Sequence, residues 1–291
     1  MKLFDVTNIL VATDLSASSV PALQCARAFA DQFAAKVTVM YSDPVMYPVD
    51  IALGGPVFVR PEAAVRDQVT RYAAPVMEGR PYDIEVTAGP PIPAILRAAA
   101  DLHADLIVVA THVQQVLTHT ILGSVSEGVL HGSRCPVLTI ADRGRPVAPA
   151  HSVTKIVCPV NFSDVARDSV RAAARIAEVF GAQLVIVHVV EPDVLADAAA
   201  DEEQVRRWID PELQDSCSYR QLVLRGGPAE RVLDCVEDLG ADFLVIGAQY
   251  KFFRDVTVIG TTTERLIRFA SCPVLVIPRQ PVAAEGLGIR D

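Results

Sequence analysis

Apolar and polar positions along the chain alternate between short apolar runs and longer amphipathic stretches. Residues 8 to 13, NILVAT, are apolar and rich in β-branched side chains, and the run stops at Asp14. LSASS then opens a stretch whose apolar face is Val20, Leu23, Ala26, Ala30 and Phe33, so the pattern predicts strand, polar turn and helix. KVTVMYS (36 to 42) predicts a second strand. The Pro- and Gly-rich segment after it, 44 to 61, is too irregular for a core element and reads as a surface excursion. Glu62 to Glu78 has helical character that Pro75 should bend or end. YDIEVTAG, IPAILRAAADLH, ADLIVVAT, the segment from Gly123 to Gly132, and CPVLTI (135 to 140) then read as strand, helix, strand, helix and fifth strand.

After the linker-like ADRGRPVAPAHSV the order starts again, with KIVCPVN, QLVIVHV, CSYRQLVLRGGP, AERVLDCVEDLG, ADFLVIGA and CPVLVI. Asn161 follows Asp14 by 147 positions, whereas Pro228, Asp242, Gly260 and Cys272 each follow their counterparts Pro91, Asp105, Gly123 and Cys135 by 137. The second copy is therefore ten residues shorter between its second and third strands, where the first copy carries its excursion. Five mostly apolar strands alternating with helices predict, in each copy, a parallel sheet covered on both faces. In such sheets ligands bind outside the carboxyl ends of the strands, which are the positions of Asp14, Ala110 and His112 in one copy and Asn161 and Gly247 to Gln249 in the other.

The totals narrow the function classes. A chain of 291 residues suggests two domains. A formal charge of −9 without a Lys/Arg cluster argues against a nucleic-acid surface. The longest apolar runs, such as LVIVHVV, fall short of the roughly 20 residues a membrane helix needs. The amino-terminal stretch has no secretory-signal pattern, and a cytoplasmic location is expected. The six cysteines form no CxxC pair and read as buried fillers. No HxxxH, HExxH or paired acidic motif marks a catalytic or metal site, and the glycines at 226 and 227 are not followed by the GK[ST] of a Walker loop.

Two stretches carry candidate chemistry: Ala110 to Ser126, and its relative Gly247 to Thr263. Both place glycines and hydroxyl residues where a strand hands over to a helix, a position suited to an anion. ILVATDLS, the G-x-P before the third helix (Gly89 to Pro91 and Gly226 to Pro228), DLIVVATH with FLVIGAQ, and the CPVL fifth strands together resemble the universal stress protein family, in tandem over nearly the whole chain. That resemblance implies two Rossmann-like (adenine nucleotide α-hydrolase-like) α/β domains, at 1–142 and 154–280, with a linker at 143–153 and a flexible tail at 281–291. Each is expected to be a five-stranded parallel sheet with helices on both faces, the two pairing about a pseudo-twofold axis through their fifth strands. It implies a non-catalytic stress-response or signalling protein, an internal pseudo-dimer that forms or does not form a homodimer, with ATP or another adenine nucleotide in one domain. The use of Mg is left open.

In the nucleotide-binding branch of the family an Asp after the first strand contacts adenosine, and a G-x-x-G-x9-G-[ST] loop holds ribose and phosphates. The residues this marks are Thr13, Asp14, His112, Gly123, Ser124, Val125 and Ser126 in the first copy, and Asn161, Gly247, Gln249, Gly260, Thr261 and Thr262 in the second. Each copy departs from the pattern. The first has Ala110 and Val113 at the first two loop glycines; the second has Asn161 for the Asp and Tyr250 for the second glycine, with Lys251 and Arg254 as counter-charges in its loop. Asp14 tilts the expectation toward the first copy. Each residue also has a plainer reading: Asp14 as a helix cap, the glycines and hydroxyls as helix starts, His112 as a polar surface residue, and Phe252 and Phe253 as a plug over the core. Two other functions stay open at this level: a scaffold without nucleotide that meets a protein or lipid partner, and, on fold analogy alone, an enzyme of the α-hydrolase-like superfamily.

Overall fold

The computed structural model describes residues 4–43, 60–111, 114–116, 119–121, 123–141, 153–192, 198–211, 213, 217–248, 250–253 and 256–279. The excursion from 44 to 59, most of the linker, the tail, His112, Gln249 and Arg254 lie outside these residues, as do the side chains of Tyr250, Lys251, Phe252 and Phe253. In chain order the first half contains β1 (Asn8–Ala12), α1 (Val20–Phe33), β2 (Lys36–Asp43), α2 (Glu62–Met77), β3 (Asp83–Ala88), α3 (Pro91–Asp101), β4 (Leu106–Thr111), β5 (Gln114–Val116), β6 (His119–Ile121), α4 (Ser124–Gly132) and β7 (Val137–Ala141). The second half contains β8 (Lys155–Val160), α5 (Asp164–Phe180), β9 (Gln183–Val190), α6 (Ala198–Trp208), β10 (Tyr219–Arg225), α7 (Pro228–Leu239), β11 (Phe243–Gly247), β12 (Tyr250–Phe253), β13 (Val256–Ile259), α8 (Thr261–Phe269) and β14 (Val274–Ile277).

The five expected parallel strands are present in each half, ordered β3-β2-β1-β4-β7 and β10-β9-β8-β11-β14. Their near-continuous burial follows from helices on both faces. The same carboxylate starts each half. Asp105 Oδ2 accepts from the Thr7 and Asn8 amides (2.9 and 3.0 Å) and the Thr7 hydroxyl (2.7 Å). Asp242 Oδ2 does the same for Thr154 and Lys155. α1 and α5 both end in a left-handed residue, Ala34 (φ 55°) in one and Gly181 (φ 67°) in the other. Pro75 does not stop α2 early: the helix ends two residues later, the proline lying in its last turn.

Two elements differ from the sequence expectation. The stretches after β4 and β11, read as loops, form two-stranded antiparallel hairpins, β5–β6 and β12–β13. The β-branched and aromatic residues of YKFF and VTVI suit a ladder better than an open glycine-poor loop. The last five residues of α4, GVLHG, also have a packing role. A Cβ at Gly128 would stand 2.4 Å from Ile92 Cδ1 and one at Gly132 2.4 Å from Leu96 Cδ1, so both glycines let α4 close on α3.

The halves join through β7 and β14, which pair antiparallel with Leu275 opposite Leu138, and Thr139 Oγ1 donates to the Val274 carbonyl at 3.1 Å. One ten-stranded sheet results, and neither fifth strand is left as an edge. The join is backed on one face by aromatic rings from both halves. Phe29 of α1 lies 5.3 Å from Phe180 of α5 and 5.5 Å, edge-on, from Phe243 of β11. Arg175 of α5 reaches Asp5 at 3.2 Å.

Replacing Phe29 with Ala is expected to cost about 3–5 kcal/mol, the usual loss for a buried Phe. Because its ring touches both halves, the fluorescence transition of Trp208, the single tryptophan, should move to lower denaturant. An unmoved Trp208 transition would show the second half holding independently. A second prediction concerns Gly247. A Cβ there would stand 2.6 Å from Val165 Cγ1, 3.0 Å from Ser169 Oγ and 3.1 Å from the Val165 carbonyl oxygen, all on α5. The equivalent first-half positions are Ala110, Ser18 and Ala22, a larger strand residue against smaller helix residues. Gly247→Ala alone should cost about 1–3 kcal/mol by overpacking. Adding Val165→Ser should restore at least half of that in a denaturation curve.

Candidate functional site

At the carboxyl edge of each half the chain turns in the same way. In the first, Asp14 Oδ1 accepts from the Ser16 amide (3.0 Å) and hydroxyl (2.6 Å), and Leu15 between them is left-handed at φ 63°. In the second, Asn161 Oδ1 accepts from the Ser163 amide (3.3 Å) and hydroxyl (2.7 Å), and Phe162 has φ 61°. A non-glycine residue at positive φ is strained by roughly 1–3 kcal/mol, so the turn is held by its surroundings in both halves. The acceptor oxygen serves Asp and Asn alike. The exchange therefore removes a charge and keeps the geometry.

Above these turns lie two cavities of different character. The strands of the two halves run antiparallel across the β7–β14 join, so the cavities open at opposite ends of the sheet. The second-half cavity, about 390 Å³, is lined by Asn161, Gly247, Gly260, Thr261 and Thr262, with His188 and Glu191. Five of the residues singled out from the sequence thus converge there. The first-half cavity, about 310 Å³, is lined by Thr13, Asp14 and Val125 from that set, but not by Gly123, Ser124 or Ser126. Ser126 is buried and its hydroxyl donates to the Gly123 carbonyl at 2.8 Å; its counterpart Thr263 bonds the Gly247 carbonyl at 3.4 Å. Gly123 and Gly260 sit at φ −57° and −61° as N-caps of α4 and α8, conformations open to any residue. His112 and Gln249 lie outside the described residues.

Sequence reasoning passed over His188 and Tyr41, which occupy equivalent positions near the ends of β9 and β2 and line the two cavities. The offset of 147 that relates Asp14 to Asn161 also relates these two, and was the signal available. His188 Nδ1 lies 3.0 Å from the Val160 carbonyl oxygen, which can only accept, so Nδ1 carries the proton. The ring lies against Phe162, tilted by 43° with centroids 4.4 Å apart; Phe162 meets Trp208 edge-on, and the Arg167 guanidinium covers Trp208 at 5.0 Å. Asp210 pairs with both Arg167 and Arg171 and fixes that wall. In the first half, Asp43 is fully buried and pairs with Arg60 at 3.1 Å. Burial and the Asp43 and Asp14 carboxylates push the Tyr41 phenol above its ordinary range, against the opposing pull of Arg60.

No group of three or more His, Cys, Asp or Glu side chains suited to a metal occurs among the described residues. No helix among them is long and apolar enough to cross a membrane. Burial drives the thiols of Cys25, Cys158 and Cys235 upward and leaves them poor nucleophiles.

The universal stress protein family model matches twice, over residues 6–141 and 152–278. Among curated relatives, a universal stress protein of Methanocaldococcus jannaschii is 29% identical over 139 residues, covering 43% of this chain and 82% of that protein. One from Thermus aquaticus is 32% identical over 132 residues, covering 42% and 96%. Over the tandem arrangement, a universal stress protein structure from Archaeoglobus fulgidus superposes with a TM-score of 0.68 at 23% identity, covering 94% of this chain and 98% of that one. A functionally unknown protein from Pseudomonas aeruginosa gives 0.65 at 16% identity, covering 95% and 94%. With both halves matched, and the carboxyl-edge turn repeated in each, the chain belongs to the universal stress protein family.

Proposed function

We propose that the protein acts in stress response or signalling by binding rather than by catalysis, taking an adenine nucleotide such as ATP in its second-half cavity. The observation that carries this reading is the convergence of Asn161, Gly247, Gly260, Thr261 and Thr262, from three separate stretches of chain, on one cavity of about 390 Å³. Its size falls within the usual range for small-ligand sites, roughly 300–1,000 Å³. α8 begins at its wall, so the first amides of the helix and the hydroxyls of Thr261 and Thr262 are placed for an anion. Asn161 and His188 supply a polar wall suited to the ring and ribose.

The choice of the second half departs from the preference that Asp14 suggested. In the first half Val125 stands where the second has Thr262, so the hydroxyl placed for a phosphate at the helix start is missing there; a carboxylate lines each cavity, Asp14 in one and Glu191 in the other. Gly247 supports the reading only as part of the wall, because its lack of a side chain is already required by α5.

Calorimetric titration of the whole chain with ATP, with and without Mg, should give one site. Thr262→Val should weaken it about tenfold or more, the loss expected for a hydrogen bond to a charged oxygen. Asp14→Ala should leave the affinity within about twofold of the parent, a change below about 0.5 kcal/mol. Trp208 emission is a convenient second readout, since its ring contacts Phe162, which contacts His188. No heat, and no thermal shift at saturating ATP, would sink the nucleotide reading and leave a partner-binding scaffold.

A further inference from the structure

A third cavity, of about 510 Å³, lies at the amino edge of the first half, between the carboxyl ends of α3 and α4, and shares no lining residue with the other two. Leu96, Ala99 and Ala104 give it an apolar floor, and the exposed residues Arg97, His103 and Arg134 stand around it. No carboxylate lines it. Elsewhere in the chain arginines meet carboxylates, as Arg80 meets Asp31 and Arg171 meets Asp210. The side chains of Arg97, His103 and Arg134 form no hydrogen bond or ion pair with a described residue. Asp105, beside Ala104 in the chain, is committed to the Thr7 and Asn8 amides. Two helix ends amount to about one negative charge between them, against two guanidinium charges and an imidazole, so the cations set the local potential. The carbonyls of Ala98, Ala99 and Ala100 are in any case already taken, by the amides of Leu102, Ala104 and His103.

The second half keeps none of this. At the offset of 137, Arg97, Ala100, His103 and Arg134 become Asp234, Glu237, Gly240 and Ser271, and Gly132, which lines the cavity, becomes Phe269. His103 and Gly240 are both left-handed, at φ 50° and 59°. The first copy thus holds an imidazole at a strained position where the second has the residue that suits it. We propose that this cavity is an anion site for a small carboxylate with a compact apolar body, its carboxylate meeting Arg97, His103 and Arg134 and its body covering Leu96, Ala99 and Ala104. A planar carboxylate matches the fork of a guanidinium and is preferred to a spherical anion. The floor rewards burial of a hydrocarbon that an inorganic anion lacks. The volume falls within the usual range for small-ligand sites.

The probe is 4-fluorobenzoate, titrated against the whole chain and followed by fluorine NMR. It should bind saturably, with a dissociation constant at or below about 1 mM. The amide 4-fluorobenzamide has the same shape without the charge and should bind about tenfold more weakly or worse. Arg97→Asp and Arg134→Ser, each the residue of the second copy, should each weaken the carboxylate about tenfold, the loss expected for a hydrogen bond between charged groups. Both positions are exposed, so an unmoved Trp208 denaturation transition should accompany the loss. His103→Gly should weaken the carboxylate without lowering the thermal midpoint, because it removes a cation and a strained backbone together. Thr262→Val should leave the affinity for the probe unchanged, so a failure of nucleotide binding in the second half is read separately. Three results overturn the proposal: no saturable binding up to about 10 mM, well above the expected constant; equal affinity for the amide; or unchanged affinity in both arginine variants.

Discussion

The antiparallel pairing of β7 with β14 is the constraint on which the rest of the molecule depends. Each half alone would expose its fifth strand, with unpaired amides and carbonyls along a buried-type apolar segment, VLTIA in one case and VLVI in the other. Pairing them satisfies both edges at once and makes one continuous sheet. It also sets a direction. Because the join is antiparallel while every other contact in the sheet is parallel, the two carboxyl edges face opposite ways and the two cavities cannot share a ligand. The Phe29, Phe180 and Phe243 rings then extend the core across the join, so the halves are bound by packing as well as by the ladder.

Within that frame the two halves keep the same skeleton and differ in what they offer a ligand. The turn after the first strand, the clamp by Asp105 or Asp242, and the left-handed residue at Leu15 or Phe162 recur with matching hydrogen bonds. These features carry backbone geometry, which tolerates Asp or Asn and Leu or Phe provided the acceptor oxygen and the strained φ are supported. The cavity walls answer to no such demand. Val125 against Thr262 and Tyr41 against His188 are exchanges that leave strands and helices where they were and change the medium a ligand meets.

Local compensation explains other differences between the copies. Gly128 and Gly132 make room for Ile92 and Leu96, whereas the second copy has Arg265 and Phe269 on the helix and a smaller Ala229 opposite the former. Phe269, without a partner groove of that kind, is about half exposed, at 47%. Gly247 and Val165 trade volume against Ala110 and Ser18 in the same manner. A glycine that a motif reading assigns to a phosphate can thus be required by a helix more than eighty residues away in sequence, and the two demands are indistinguishable without the fold.

Hydrophobic periodicity and the two offsets by themselves determined the ten parallel strands, the helices between them, the tandem repeat and the carboxyl edges on which a ligand would sit, because each of these follows from local spacing of apolar residues. They did not reveal the β5–β6 and β12–β13 hairpins, whose strands are only three or four residues long and are flanked by glycine and threonine that read as loop. Nor did they separate the two sites. Asp14 tilted the expectation toward the first copy, while which residues converge on a cavity, and which hydroxyls are already satisfied by neighbours, depends on contacts between segments far apart in the chain. Only the tertiary structure decided that Thr261 and Thr262 face an open polar cavity with Asn161 and His188, and that Thr13, Ser19 and Tyr72 bond one another and leave an apolar wall beside Asp14. Polarity at a site is the residue of what packing has not consumed, and packing is a property of the folded chain.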